Sequence, residues 1–127
     1  MTSLVVPAHT RWGDQDVFGH INNVAYAALM EDARGHFLEI NGFVAKGEEV
    51  GHIVVRHEID YIQQMEYRLA PYTMEMWVDR LGNSSYILGY ELRGESTVFM
   101  RAKTTMVCLS LSTNRPMRIP ADYREAL

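Results

Sequence analysis

The chain has 127 residues, 47% of them hydrophobic and 22% charged, which is the size and composition of one globular domain spanning residues 1–127. Its 12 basic residues are scattered and outnumbered by 16 acidic ones, so the electrostatic footprint of a nucleic-acid-binding protein is missing. The single Cys108 excludes an internal disulfide, and no stretch approaches the roughly 18 apolar residues of a membrane span. These features predict a cytoplasmic protein that binds neither nucleic acid nor membranes.

The first predicted elements are a strand and a long helix. A β-prone run predicts a strand from Leu4 to Trp12. Asn22 or Asn23 is a suitable N-cap for a helix that runs to about Ile40. From Tyr26 onwards, three-and-four spacing defines the apolar stripe Leu29, Met30, Ala33, Phe37 and Ile40. The polar residues mostly lie elsewhere on the helix: Glu31, Asp32, Arg34, His36 and Glu39.

After the helix the hydrophobic period changes to two, the period of a strand. The alternation predicts that one face carries Ile53, Val55, His57, Ile59 and Tyr61. His52 and His57 are five residues apart, so a regular strand projects them to opposite faces and they form no metal pair.

Further strands follow in quick succession. The pattern predicts strands over Thr73–Leu81, Tyr86–Leu92 and Val98–Leu109, the first two forming a hairpin, and a helical turn over Pro120–Leu127. This order predicts an α+β fold in which a five-stranded, largely antiparallel sheet wraps around one long helix. Edge strands would stay exposed in a monomer, so we expect at least a homodimer.

The turn before the helix carries the strongest chemical signal. Residues 12–23 combine two carboxylates, a histidine, two asparagines and the flexible Gly19. A carboxylate beside the free N–H groups and positive dipole end of a helix is placed to attack or hydrate a polarised carbonyl. Asp16 is predicted to be that carboxylate, whereas Asp14 is predicted to stabilise the turn by accepting backbone N–H groups.

The chain resembles a known family over nearly its whole length. The specific motif is D-x-D-x-x-G-H-I-N-N from Asp14 to Asn23, followed by Tyr26, with support from Glu31–Arg34, Glu58–Tyr61 and Arg115-Pro116. This pattern resembles the hotdog-fold thioesterases related to 4-hydroxybenzoyl-CoA thioesterase, in the branch of long-chain acyl-CoA and acyl-carrier-protein thioesterases. The resemblance implies a hotdog fold and hydrolysis of an acyl-CoA thioester to free acid and coenzyme A.

The resemblance also implies roles for individual residues. Asp16 would act as nucleophile through a mixed anhydride or as general base on water. The backbone N–H of Asn23 would stabilise the oxyanion. His20 and the Asn22-Asn23 pair are features shared with thioesterases of fatty acyl chains, so the resemblance implies an aliphatic acyl-CoA or acyl-carrier-protein substrate. It implies no metal and no cofactor, coenzyme A being part of the substrate, and an acyl site at a subunit interface of a homodimer or a dimer of dimers.

Four further residues are candidates for substrate binding, each with a structural alternative. His20 orients Asp16 or the water, or is a plain turn residue. Asn22 bonds the carboxylate or caps the helix. Tyr26 lines the pocket or packs in the core. Glu31 lines the pocket, or is solvated or paired at an interface.

Two other functions compete with hydrolysis. A non-catalytic acyl-thioester binding protein could use the same fold, although the presence of Asp16 argues against it. A hotdog dehydratase or hydratase typically carries D-x-N-P-x-H, and the spacing from Asp16 to His20 lacks that Asn-Pro pair.

Overall fold

The computed structural model describes residues 3–43 and 49–127, which form one antiparallel sheet and two helices. The strands follow one another across the sheet in the order β1-β3-β4-β5-β2, and a two-residue strand, β6, pairs with β5. The elements are β1 (Leu4–Ala8), α1 (Asn23–Ile40), β2 (Val50–Tyr61), β3 (Tyr72–Leu81), β4 (Ser85–Arg93), β5 (Val98–Ser110), β6 (Arg115–Pro116) and α2 (Ala121–Ala126). The predicted α+β architecture is confirmed, with β6 added to the five predicted strands.

β1 is shorter than its sequence pattern predicted. It pairs with β3 from Leu4 opposite Met76 to Ala8 opposite Tyr72, and β3 begins at Tyr72. Beyond Ala8 the strand therefore has no partner, and residues 12–14 form a short 3-10 turn instead. The predicted extension of the strand to Trp12 is wrong because the length of a strand depends on the strand beside it.

Helix α1 packs its apolar stripe against the sheet. Leu29, Met30, Ala33 and Phe37 are all buried, as the spacing predicted. Ile40, however, is 67% exposed in the last turn of the helix. The chain folds back just after it, so that Phe43 is buried against Phe37, with 6.0 Å between the ring centroids. On the sheet side, the core consists mainly of methionine, leucine and tyrosine side chains: Met74, Met76, Tyr86, Leu88, Tyr90, Leu92, Met100 and Met106.

A bulge in β2 changes which of its side chains share a face. The register between β2 and β5 shifts between Val54 and Arg56, so Val55 is an extra residue. Before the bulge the inward residue is Val54, opposite the buried Met106, and Ile53 points the other way. The uniform alternation predicted from Ile53 to Tyr61 is therefore wrong before the bulge.

The same bulge brings His52 and His57 to one face. Each pairs with a buried residue of β5, Cys108 and Thr104 respectively, so the prediction of opposite faces is wrong. His52 Nδ1 lies 2.8 Å from the Tyr86 hydroxyl, and His57 Nδ1 lies 2.8 Å from Thr104 Oγ1. Within residues 3–43 and 49–127, no cluster of three or more potential ligands could hold a metal ion. No helix in those ranges has the length and apolar character needed to cross a membrane.

Candidate active site

The acidic turn before α1 holds Asp16 in a fixed orientation. Its Oδ1 accepts the backbone N–H of Phe18 at 2.8 Å and that of His20 at 3.2 Å. Gly19 closes the turn with φ of 81°, a region that favours glycine. No described residue donates to Oδ2. Asp16 is exposed, so one carboxylate oxygen anchors the turn while the other is open to a substrate.

Asp14 has a different task, although it is only two residues away. It is buried, its Oδ2 accepts the Arg11 backbone N–H at 2.9 Å, and its Oδ1 accepts the Arg11 guanidinium at 2.8 and 3.1 Å. Burial raises the pKa of Asp14, but the bonds and charge of Arg11 outweigh burial and leave the pKa below its usual value. The prediction that Asp14 stabilises the turn is confirmed.

Asn22 joins the turn to the helix. Its Oδ1 accepts the N–H of Ala25 at 2.9 Å, which makes it the N-cap of α1. Its Nδ2 donates to the Asp14 carbonyl oxygen at 2.7 Å. Both ends of the amide are thus bonded to backbone, and the side chain does not bond the Asp16 carboxylate.

Asn23 contributes a free backbone donor to the same place. As the first residue of α1, its N–H has no acceptor within the helix, and it forms no hydrogen bond elsewhere in the described part of the chain. The N-terminus of a helix also carries a partial positive charge. A cavity of about 190 Å³ lies beside this donor and is lined by Asp16, His20, Ile21, Asn23, Tyr26, Tyr61, Ile62, Gln63 and Gln64. One cavity is therefore lined both by a carboxylate residue, Asp16, and by Asn23, the residue with the unpaired amide.

Two tyrosines form the apolar wall of this cavity. Tyr26 is 3% exposed, and burial raises the pKa of its phenol. Its ring meets the Tyr61 ring edge to face, with centroids 5.1 Å apart. The Tyr61 hydroxyl donates to the Asn23 carbonyl at 3.4 Å. Tyr26 thus both lines the cavity and packs in the core.

His20 lies between the cavity and a second recess. Its backbone, not its ring, bonds Asp16, and its ring borders both spaces. The second recess has a volume of about 370 Å³ and is lined by His20, Gln63, Gln64, Glu66, Tyr72 and Phe99. Two residues common to both spaces, Gln63 and Gln64, carry no signal in the sequence.

The two glutamines reach the site from a distant part of the chain. The backbone N–H groups of Ile62 and Gln63 both donate to the Phe99 carbonyl, at 2.9 and 3.2 Å. This pairing holds the segment after β2 against β5, and the Ile21 backbone N–H, which donates to the Met65 carbonyl at 2.8 Å, holds it beside the Asp16 turn. The glutamine side chains form no hydrogen bonds within residues 3–43 and 49–127, so they are available to a ligand.

Glu31 lies elsewhere. It borders a recess of about 540 Å³ on the side of α1 that faces β1, together with Pro7, His9, Asp32, Gly35, His36 and Glu39. Glu31 does not line the Asp16 cavity of its own chain. Eight residues beyond Asn23, it has rotated away from the cavity and lies about 12 Å further along the helix.

Cys108 is not a competing nucleophile. The side chain is fully buried, and burial raises the pKa of its thiol to about 11. A thiol of this kind is protonated at neutral pH and has no access to solvent.

Known proteins resemble this chain in both sequence and fold. The family described as the thioesterase-like superfamily matches residues 10–127. The long-chain acyl-CoA thioesterase FadM of Escherichia coli (strain K12) is 28% identical over 116 residues, which cover 88% of this chain and 87% of that protein. A predicted thioesterase from Bacillus stearothermophilus has a TM-score of 0.90 at 25% identity, covering 99% of this chain and 94% of that one. The PA5185 protein from Pseudomonas aeruginosa has a TM-score of 0.82 at 33% identity, covering 98% of this chain and 88% of that one.

Proposed function

We propose that this chain, which belongs to the thioesterase-like superfamily and is a thioester hydrolase, cleaves acyl-CoA thioesters to the free acid and coenzyme A. One observation carries the proposal: Asp16, which has one carboxylate oxygen without a donor, and Asn23, whose N–H has no acceptor among the described residues, line the same cavity. Thioester hydrolysis needs a group that attacks the carbonyl carbon or activates water, and a donor for the carbonyl oxygen as negative charge develops there. The cavity supplies both.

In the proposed mechanism the thioester carbonyl oxygen accepts the Asn23 N–H at the positive end of α1. Two routes then use Asp16. In the first, its Oδ2 forms a bond to the carbonyl carbon, the C–S bond breaks, and the thiolate of coenzyme A leaves with the electron pair; water then hydrolyses the mixed anhydride. In the second, Asp16 takes a proton from water as the water oxygen forms its bond to the carbonyl carbon; the C–S bond then breaks, and the departing sulfur takes the proton from Asp16. Both routes return Asp16 to its carboxylate form.

The surrounding residues support this chemistry by position. We assign His20, Tyr26 and the two glutamines to substrate contact, because they line the cavity that contains Asp16. Asn22 acts through the helix, since its side chain holds the start of α1 against the turn. Neither route needs a metal or a cofactor. Glu31 lies in another recess of its own chain, so we assign it to substrate contact only across a subunit interface.

The acyl group is proposed to be aliphatic and its carrier to be coenzyme A or an acyl carrier protein. The long-chain substrate named for FadM, together with the apolar cavity wall of Tyr26, Tyr61 and Ile62, supports this choice. A reducing cytoplasm is the proposed location, and the single free thiol of Cys108 is compatible with it.

The proposed assembly is a homodimer, or a dimer of such dimers, formed along the edge strand β2. β2 ends the sheet and leaves backbone groups unpaired along that edge. Its side chains Val54 and Val55, and Ile62 just beyond it, are 38%, 55% and 48% exposed. Pairing two copies along β2 would cover these side chains and enclose the open side of the cavity.

The test is thiol release from a panel of acyl-CoA esters from acetyl to palmitoyl, measured for the wild type, Asp16→Asn and Asp122→Asn. Asp122 is a matched control because it is an exposed aspartate in α2, far along the chain from the site. We expect Asp16→Asn to lose about 100- to 10,000-fold in turnover, while Asp122→Asn matches the wild type. If the wild type binds acyl-CoA esters but releases free thiol from none of them, the proposal is contradicted and a non-catalytic binding protein is favoured.

A further inference from the structure

Arg34 is a buried cation without a counter-charge among residues 3–43 and 49–127. It lies in the middle of α1 and is 7% exposed. Its one hydrogen bond to a described residue is long, 3.4 Å from Nη1 to the Tyr90 hydroxyl, and none of the ion pairs among these residues includes it. Arginine is rarely buried unless paired, because a buried charge without an anion loses its hydration for no compensating attraction. An anion from outside the described chain would complete this site.

The groups around Arg34 are polar but neutral. Thr104 and Tyr90 are fully buried, and His57 Nδ1 lies 2.8 Å from Thr104 Oγ1. Burial, and then the charge of Arg34, lowers the pKa of His57, while burial raises the pKa of Tyr90. The cluster of Arg34, His57, Tyr90 and Thr104 thus offers hydrogen-bonding groups and one uncompensated positive charge.

This cluster lies along the same side of α1 as the Asp16 cavity. Asn23, Ala27 and Arg34 are spaced by four and seven residues, so they form one stripe on the helix. β2 lies beside this stripe: Tyr61 bonds the Asn23 carbonyl, and the charge of Arg34 acts on His57. From Tyr61 to His57 is four residues of strand, or roughly 13 Å. Two stripe residues, Ala27 and the fully buried Met30, lie between the two ends, and the strand beside them, β2, is an edge strand.

We propose that Arg34 binds a carboxylate at the far end of the acyl group, so that the preferred substrates are monothioesters of dicarboxylic acids of medium length. The inference rests on the proposed function, because it specifies the acyl group of the thioester substrate. A guanidinium fork matches a carboxylate in geometry as well as charge. With the thioester carbonyl at Asn23, an acyl chain laid along β2 brings its terminal carboxylate to Arg34 and His57.

The first test compares adipoyl-, suberoyl- and sebacoyl-CoA with hexanoyl-, octanoyl- and decanoyl-CoA. We expect kcat/KM for the best dicarboxylic member to exceed that for the alkyl ester of equal length by about 10- to 100-fold, the worth of a charge-assisted hydrogen bond. Arg34→Met should abolish this preference and Arg34→Lys should keep part of it. Arg101→Met is the matched control, since Arg101 is an exposed arginine of β5 paired with Glu91, and it should leave the preference unchanged.

The second test does not depend on catalysis. Free suberate should raise the melting temperature of the wild type in proportion to the logarithm of its concentration, and octanoate should do so much less. Arg34→Met should lose the response to suberate; the exchange of a buried charge for an apolar side chain of similar length is often neutral for folding. If that variant does not fold, Arg34→Lys supplies the comparison.

The outcomes separate this inference from the proposed function. Hydrolysis of alkyl esters with no preference for a terminal carboxylate would overturn the role of Arg34 and leave the thioesterase intact. No hydrolysis of any ester would contradict the proposed function, and suberate binding would then decide the role of Arg34 alone. If Arg34→Met weakens self-association without changing substrate preference, the anion comes from a second copy of the chain, and the inference is wrong.

Discussion

The Asn22 side chain is predicted to stabilise the protein by connecting the acidic turn to the start of α1. Asn22→Ala removes the cap bond to Ala25, worth about 0.5–2 kcal/mol, and the bond to the Asp14 carbonyl, worth about 0.5–1.5 kcal/mol. The Asp14 carbonyl keeps the Asn22 backbone N–H at 2.8 Å, so it is not left without a donor. The total is therefore about 1–3.5 kcal/mol of unfolding free energy, or a melting temperature lower by roughly 4–13 °C.

Two further variants separate the two bonds. Asn22→Asp keeps an oxygen that accepts the Ala25 N–H but loses the donor to Asp14, so its melting temperature should fall between those of the wild type and Asn22→Ala. Asn83→Ala is the control, because Asn83 is an exposed turn asparagine with no side-chain hydrogen bond within residues 3–43 and 49–127. Turnover of Asn22→Ala should also fall, by about tenfold for each 1.4 kcal/mol of lost transition-state stabilisation, since Asn22 fixes the amide that follows it. Asn22→Ala with wild-type melting and wild-type turnover would refute this role.

Three further predictions concern stability. Gly89→Ala should destabilise by about 1–3 kcal/mol in urea unfolding, because its Cβ would lie 2.5 Å from the Trp77 ring. Gly35→Ala should instead stabilise by about 0.5–1 kcal/mol, because Gly35 is an exposed helix residue with open space around it. If the two variants change the unfolding free energy in the same direction, the packing described for these glycines is wrong. Because burial and then Arg34 lower the pKa of His57 below 6.5, protonation favours the unfolded chain, so the unfolding free energy should fall between about pH 7 and pH 5. His57→Asn should reduce the dependence of the unfolding free energy on pH. An unchanged dependence in this variant would contradict the role of His57.

The sequence predicted those elements whose signals are local. The helix follows from its three-and-four spacing, and the hairpin of β3 and β4 from a glycine-containing turn between two alternating runs. The end of β1 and the bulge at Val55 were not predictable, because each depends on the strand alongside. That one extra residue decides which histidines face the core.

The site divides in the same way. Asp16 and Asn23 lie within one short segment, so their closeness was visible in the sequence. Tyr61, Gln63 and Gln64 complete the cavity from about forty residues away. The pairing of β2 with β5 and the backbone bond from Ile21 to Met65 bring them there. Arg34 was assigned to the polar face of the helix by its charge, whereas the structure places it inward against Tyr90. The assignment of Arg34 to the polar face, which was based on its charge alone, is therefore wrong.

In the proposed mechanism the Asp16 carboxylate performs the chemistry and contributes little to binding. The direct measurement is to determine, for the wild type and Asp16→Asn, both the single-turnover rate with the best acyl-CoA ester and the Kd of its non-hydrolysable thioether analogue. For Asp16→Asn we expect a rate lower by about 100-fold or more with a Kd within about threefold of the wild type. An Asp16→Asn protein that hydrolyses the ester at the wild-type rate would contradict this mechanism.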